Sequence, residues 1–284
     1  MLLAHDLPAA AHLGDRAAVE RLVALGLSLD ARDAQGATAL LRACGAGHLA
    51  LATELLERGA DPTLAATTGA TPLSAAVSAQ REPVVSLLLD RGVDADQRLP
   101  GGVTPLMVAA ALGYETITDL LVARGADAGA RDDHGNTALH AAAQFAFAAG
   151  DARASRAIIE RLAGAGAAPD DANAQGQTPL LLLLGAAASP GSPPRQRELP
   201  ILAQALIARG ADPGAQDARG VSCLHAAAMH GRLDACQMLL KAGADPASRD
   251  RLGRTPHDIA LMLGFADVAG VLRPAHGPAR EGVR

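Results

Sequence analysis

The chain has 284 residues and a formal net charge of −5 from 25 cationic and 30 acidic side chains, so it has no basic field of the kind that displaces counterions from nucleic acid. Hydrophobic residues make up 49% of it, yet only Tyr114, Phe145, Phe147 and Phe265 are aromatic, and a core of Ala, Leu and Val has to be thin and closely packed. Single cores seldom outgrow about 250 residues, so this length implies two compact domains unless the chain is a linear array.

No long apolar span is present: the run 180–188 is far short of the roughly 20 residues a membrane helix needs. Met1-Leu2-Leu3-Ala4-His5-Asp6 lacks the basic stretch of a signal peptide. Cys44, Cys223 and Cys236 form neither an even disulfide set nor a C-x-x-C pair, and are expected to be reduced thiols in a cytoplasmic protein. One Lys (Lys241) against 24 Arg, with abundant Ala, points to a GC-rich bacterial genome.

In chain order, the segment 1–32 keeps only Ala10-Ala11, Gly14 and the run from Val19 to Gly26, with His5-Asp6 where later segments carry a helix start. From residue 33 a unit recurs: a turn such as Asp33-Ala34-Gln35-Gly36, a Thr, an Ala pair, a Leu pair and a Gly. The unit 66–98 shows it as Thr71-Pro72-Leu73, Ala75-Ala76, Leu87-Leu88 and Gly92, and 99–131 as Thr104-Pro105-Leu106, Ala109-Ala110, Leu120-Leu121 and Gly125. The unit 132–172 opens on Asp132-Asp133-His134-Gly135 and Thr137-Ala138-Leu139-His140, then gains eight residues around Phe145 to Ser155, where Gly150-Asp151 is expected to turn.

The unit 173–216 puts Leu183-Leu184 in the Ala-pair slot and gains eleven residues that include Ser189-Pro190-Gly191-Ser192-Pro193-Pro194, an expected exposed loop. The unit 217–249 carries Ser222, His225 and Gly243-Ala244-Asp245-Pro246, and 250–273 carries Thr255-Pro256-His257-Asp258 with a short second helix ending near Leu272. The remaining 274–284 is expected to be a disordered tail.

The Thr slot (Thr38, Thr71, Thr104, Thr137, Thr178, Ser222, Thr255) advances by 33, 33, 33, 41, 44 and 33 residues, and the Gly slot runs in phase with it. Each slot has a physical reason. Thr caps the first helix and Pro fills its first position, where an N–H has no partner anyway. Ala pairs let neighbouring helices approach and the Leu pairs form an apolar seam. Helices of eight or nine residues are marginal alone, so their stability has to come from stacking.

Thr71-Pro72-Leu73, Thr137-Ala138-Leu139-His140, Gly59-Ala60-Asp61-Pro62 and Gly210-Ala211-Asp212-Pro213 resemble the ankyrin repeat. The resemblance implies an all-α solenoid of about eight helix-turn-helix repeats with short β-hairpin fingers, spanning 1–273 as one array. It also implies a non-catalytic, monomeric scaffold that binds a protein partner in a concave groove. Carried onto this sequence, the groove takes Gln35, Thr67, Thr68, Asp133, His134, Asn136, Gln175, Gln177, Arg219, Arg251 and Arg254 from the fingers. Helix one adds Leu112, Gln144, Phe145, Met229 and His230. The early fingers are nearly neutral, the fifth is acidic and the last two are cationic, a polarity able to orient a partner.

Candidate chemistry is thin. His140 and His225 occupy the His slot of the family motif, where a structural hydrogen-bonding role is expected. Cys223 with His225 has the composition of a nucleophile and base but lacks an orienting carboxylate. Asp132-Asp133 has no EF-hand spacing after it, and Gly101-Gly102 no phosphate-loop pattern around it. No cofactor or metal is therefore expected. Two other readings stand beside the scaffold. One is an active site in the insertions, the longer of which offers no acid-base pair apart from Arg195, Arg197 and Glu198; the other is the recognition part of a larger enzyme or secreted effector assembly.

Overall fold

A computed structural model describes residues 6–149, 151–191 and 198–273. Among these residues the secondary structure is sixteen α-helices and one 3-10 turn, with no extended strand. The chain is an all-α repeat protein. The expected tail, Gly150 of the expected turn, Ser192-Pro193-Pro194 of the expected exposed loop, and Arg195 and Arg197 lie outside the described residues.

Contacts divide the chain into two compact units, Met1–Ala142 with Gly164–Ala167, and Ala143–Ala163 with Ala168–Arg284. The first unit contains α1 (Asp6–Leu13), α2 (Arg16–Ala24), α3 (Ala39–Ala46), α4 (Leu49–Glu57), α5 (Pro72–Ser78), α6 (Glu82–Asp90), α7 (Pro105–Leu112) and α8 (Glu115–Ala123). Odd helices α1, α3, α5 and α7 pack in sequence on one another, and α4, α6 and α8 do the same behind them, each pair closing on itself. The result is two layers with the core between them.

The second unit repeats the plan with α11 (Pro179–Leu183), α12 (Leu199–Ala208), α13 (Cys223–Met229), α14 (Leu233–Lys241), α15 (Pro256–Met262) and α16 (Ala266–Val271). Here α11, α13 and α15 form one layer and α12, α14 and α16 the other. Between them in sequence lie α9 (Ala138–Ala149) and α10 (Ala152–Gly164).

Each slot does what its chemistry dictates. The hydroxyls of Thr38, Thr71, Thr104, Thr178, Ser222 and Thr255 accept the backbone N–H three residues on, and each of these caps has extended backbone dihedrals. In six repeats a Leu stands two residues beyond the Thr or Ser slot (Leu40, Leu73, Leu106, Leu139, Leu180, Leu224), and all six are fully buried. So are Leu88, Leu121, Leu162, Leu206 and Leu239 on the second helices. Burial of such a side chain stabilises by roughly 1.5–3 kcal/mol, which no single helix pair could gain alone.

The first insertion lengthens α9 to twelve residues and α10 to thirteen, as an Ala-rich sequence favours. The second follows a first helix cut to five residues, with Leu180, Leu181, Leu182, Leu183 and Leu184 all buried. The extra volume of Leu183-Leu184 is accommodated by ending the helix early and turning at Gly185.

Candidate functional site

Five of the fingers are turns closed by an Asp or Asn side chain, and the β pairings among the described residues are the isolated antiparallel bridges Arg32–Thr38 and Gln216–Ser222. In the second finger one carboxylate oxygen of Asp33 accepts N–H bonds from Gln35 and Ala37, each at 2.9 Å. Asp132 serves His134 and Asn136 in the same way, Asn173 serves Gln175 and Gln177, Asp217 serves Arg219 and Val221, and Asp250 serves Leu252 and Arg254. Five turns therefore close on the same local chemistry.

Successive fingers are also tied backbone to backbone. Thr67 donates to the Gln35 carbonyl at 2.9 Å and Asp133 to Gly101 at 2.8 Å in the first unit. Ala218 donates to Gln175 at 2.8 Å and Arg251 to Arg219 at 2.9 Å in the second. At these four junctions a main-chain bond sets the finger spacing, and the Thr67 hydroxyl reinforces the first by donating to the same Gln35 carbonyl at 2.8 Å.

The second carboxylate oxygen of each turn Asp holds a side chain facing the groove. Arg42 binds Asp33 through Nε at 2.8 Å and a terminal nitrogen at 2.6 Å, and reaches the Gln35 side-chain oxygen at 3.1 Å. Asn136 donates to Asp132 at 3.1 Å. Arg219 binds Asp217 through Nε at 2.9 Å and a terminal nitrogen at 2.8 Å, and Arg254 binds Asp250 through Nε at 2.8 Å.

These bonds set the electrostatics. Burial pushes the Asp33 and Asp250 carboxyls up, but the guanidinium and backbone N–H bonds outweigh it and hold both below the ordinary value of 3.8. Asp132 ends below that value by the same balance, with Asn136 as the main opposing donor.

Most positions expected in the groove are on the surface. Gln35, Thr67, Thr68, Leu112, Asp133 and His134 are exposed in the first unit, and Gln144, Gln175, Arg219 and Arg251 in the second. Asn136, Phe145, Met229 and Arg254 are half-buried.

Two require correction. Gln177 is buried beneath its own finger, where it donates its backbone N–H to Asn173 and its carbonyl accepts from Asn173. His230 is only 7% exposed and points inward, so neither side chain is offered to a partner. The expected cationic polarity also shrinks, because Arg219 and Arg254 are each paired with the Asp of their own finger.

His230 belongs to a second cluster that the sequence did not announce. Its Nε2 lies 3.0 Å from the Gly185 carbonyl, and its ring sits 5.3 Å from that of Phe147. Gly185 has φ +93, and a Cβ there would come within 2.5 Å of His230 and 2.6 Å of Phe147. Arg219 donates to the neighbouring Ala186 carbonyl at 2.8 Å, and Gly191 donates its N–H to Met229 at 2.9 Å. Side chains from the following unit thus satisfy the carbonyls that the shortened α11 leaves open. Phe147 packs here as a wedge.

Arg42 is the other residue missed; its sequence signal is a cation nine residues after the turn Asp. It lines a hollow of about 460 Å³ with Pro8, Ala9, His12, Asp33, Ala34 and Gln35 in the first unit. A second hollow of about 470 Å³, on α12 and α14, is lined by Ile201, Ile207, Met238 and Lys241 among others.

The groups considered for chemistry are held structurally. Nδ1 of His225 accepts from the Ser222 N–H at 3.2 Å and hydroxyl at 2.7 Å, which leaves Nε2 to donate to the Arg254 carbonyl at 2.9 Å. Burial lowers the His225 pKa below its ordinary 6.5, against the opposing pull of that carbonyl. His140 receives the Thr137 N–H on Nδ1 at 3.1 Å. Burial pushes the Cys44 and Cys236 thiols up to about 12 and raises Cys223 as well, the opposite of what a nucleophile needs. Among the described residues no three His, Cys, Asp or Glu side chains converge on a metal position, and no helix is long and apolar enough to cross a membrane.

A capped pair of short helices, an Asp-centred turn and a backbone ladder between turns define a repeat protein of the helix-turn-helix class. Residues 7–99, 84–151 and 196–279 match the family described as Ankyrin repeats (3 copies), more than half of the chain, and the chain belongs to the ankyrin-repeat family. Comparison with curated proteins gave no match. Ankyrin repeats are generally protein–protein interaction modules, and proteins built from them are typically non-catalytic.

Proposed function

We propose that this protein is a non-catalytic scaffold whose repeats, eight by the sequence slots, bind a protein partner through the finger tips and the exposed ends of the first helices. The observation that carries the reading is the division of labour in the turns. Backbone amides and the turn carboxylates are satisfied internally, while the tip side chains Gln35, Thr67, Thr68, His134, Gln175 and Arg251 remain exposed. Exposed groups held on turns of fixed spacing suit recognition, because little ordering entropy is lost when a partner arrives. Three buried thiols with no disulfide support work in a reducing, cytoplasmic setting.

The test is to isolate partners on the wild-type chain, then measure affinity for each purified partner with single-unit variants. Thr68→Glu with His134→Glu probes the first unit, and Gln144→Glu with Arg251→Glu the second. At least one pair is expected to weaken binding tenfold or more with unchanged circular dichroism. Unaltered affinity for both pairs would overturn the mapped face. A turnover measured on the purified chain alone would overturn the non-catalytic assignment.

A further inference from the structure

In the first unit the second helices of neighbouring repeats are joined across their exposed surface by ion pairs. A cation stands one residue before the glycine that follows the helix, and it reaches an acid two residues before the glycine of the preceding repeat. Arg91 meets Glu57 at 3.6 Å between α6 and α4, and Arg124 meets Asp90 at 2.9 Å between α8 and α6. Between α14 and α12 the same two slots hold Ala242 and Ala208, so both members of the pair are replaced together.

The hollow of about 470 Å³ lies at this seam, and its apolar lining is Ile201, Ile207 and Met238. Ile201 is 49% exposed, in a slot that holds Ala50, Pro83, Thr116 and Asp234 in α4, α6, α8 and α14. The lining is charged at two points. Asp234 and Lys241 both border the hollow, seven residues apart on α14, about 10 Å at the helical rise. Asp234 shares its charge with Arg232 at 3.3 Å, whereas Lys241, the one Lys of the chain, is exposed and forms no ion pair among the described residues.

These features define what fits. The backbone groups inside α12 and α14 are bonded within their own helices, so an extended segment laid along the seam would find no main-chain partner, whereas a helix arrives with its own bonds made. Antiparallel to α14, such a helix places its positive N-terminal end and an acid beside Lys241, and its negative end and a cation beside Asp234, as both helix dipoles favour. Apolar residues between the two charges then face Ile201 and Met238. We propose that the α12–α14 seam docks an amphipathic helix of a partner protein, with an acid against Lys241, apolar side chains in the hollow and a cation against Asp234. It is a second surface, separate from the finger tips.

The probe is a capped, Ala-based peptide of about sixteen residues with Glu, Leu, Leu and Arg at i, i+3, i+4 and i+7, titrated with the full chain and read by fluorescence anisotropy. Saturable binding is expected, weakened at least tenfold by Ile201→Glu, and likewise by Ala208→Glu with Ala242→Arg, which rebuilds the ion pair of the other seams. All three positions are exposed, so helicity should not change. Lys241→Glu is expected to weaken the peptide and to favour a version with Glu and Arg exchanged. Thr68→Glu with His134→Glu should leave this affinity unaltered, so failure of the finger face and failure of the seam are read separately. Three outcomes would overturn the proposal: no binding up to about 1 mM peptide, an affinity indifferent to both Ile201→Glu and the rebuilt pair, or binding that emerges only once residues 274–284 are removed, which would give the hollow to the chain itself.

Discussion

Gly185 and Gly243 share a φ of +93 but not an environment, and the pair isolates the energetics of the Phe147–Gly185–His230 cluster. At Gly243 an added Cβ meets nothing within 4 Å, so Gly243→Ala should cost only the left-handed backbone penalty, about 1–2 kcal/mol. At Gly185 the Cβ falls 2.5 Å from Nε2 of His230 and 2.6 Å from Phe147, so both rings must move. Displacing the imidazole breaks its 3.0 Å bond to Gly185 and leaves a buried donor unmatched, about 1–3 kcal/mol more. The backbone and displacement terms together give Gly185→Ala a loss of about 2–5 kcal/mol. Urea unfolding followed by circular dichroism measures both variants against wild type. Equal losses for the two would refute the steric account of the cluster.

Gln80, with φ 57, occupies the left-handed position where Gly47, Gly113, Gly231 and Gly264 sit in other units. Gln80→Gly should therefore raise the urea midpoint, by up to about 1 kcal/mol in stability, since the relieved strain exceeds the entropy glycine adds. Ser222→Ala removes both a helix cap and a hydroxyl partner of His225, and thermal unfolding should show a loss of about 1–2 kcal/mol. Acid should act in two stages. The lowered pKa of His225 means the unfolded chain binds its proton first, so stability falls as pH drops below 6.5 and is fully present above it. The depressed carboxyls of Asp33 and Asp250 add stability that is present above 3.8 and lost as pH falls through their lower folded values. Unfolding midpoints from pH 8 to pH 3 check the sequence of losses, and His225→Asn should flatten the upper stage. Cys44, Cys223 and Cys236 should resist a thiol-specific dye at pH 8 until denaturant is added.

Legibility in the sequence followed the range of the chemistry involved. Caps at Thr38, Thr71 and Thr104 need partners only three residues away, so spacing alone located them. The turns at Asp33 and Asp132 were legible for the same reason. The first insertion was located but its lengthening of both helices was not read, because a run such as 145–149 extends a helix as readily as it interrupts one. The burial of His230 and the bond from Arg219 to Ala186 depend on a neighbour made short by Leu183-Leu184, a long-range consequence with no local signature. Charge was misjudged in the same way: Arg219 and Arg254 count as cations in the bare sequence, yet each is matched by a carboxylate in its own turn.

The turn carboxylates separate what the fingers are from what they display. Because Asp33, Asp132, Asp217 and Asp250 clamp the loop through main-chain amides, the identity of the apex residue is nearly irrelevant to whether the loop forms. Mutational drift at Gln35, His134 or Arg251 can therefore rewrite the chemistry on display while foldability stays constant. A lineage with this arrangement can change allegiance one apex at a time, with no intermediate that fails to fold.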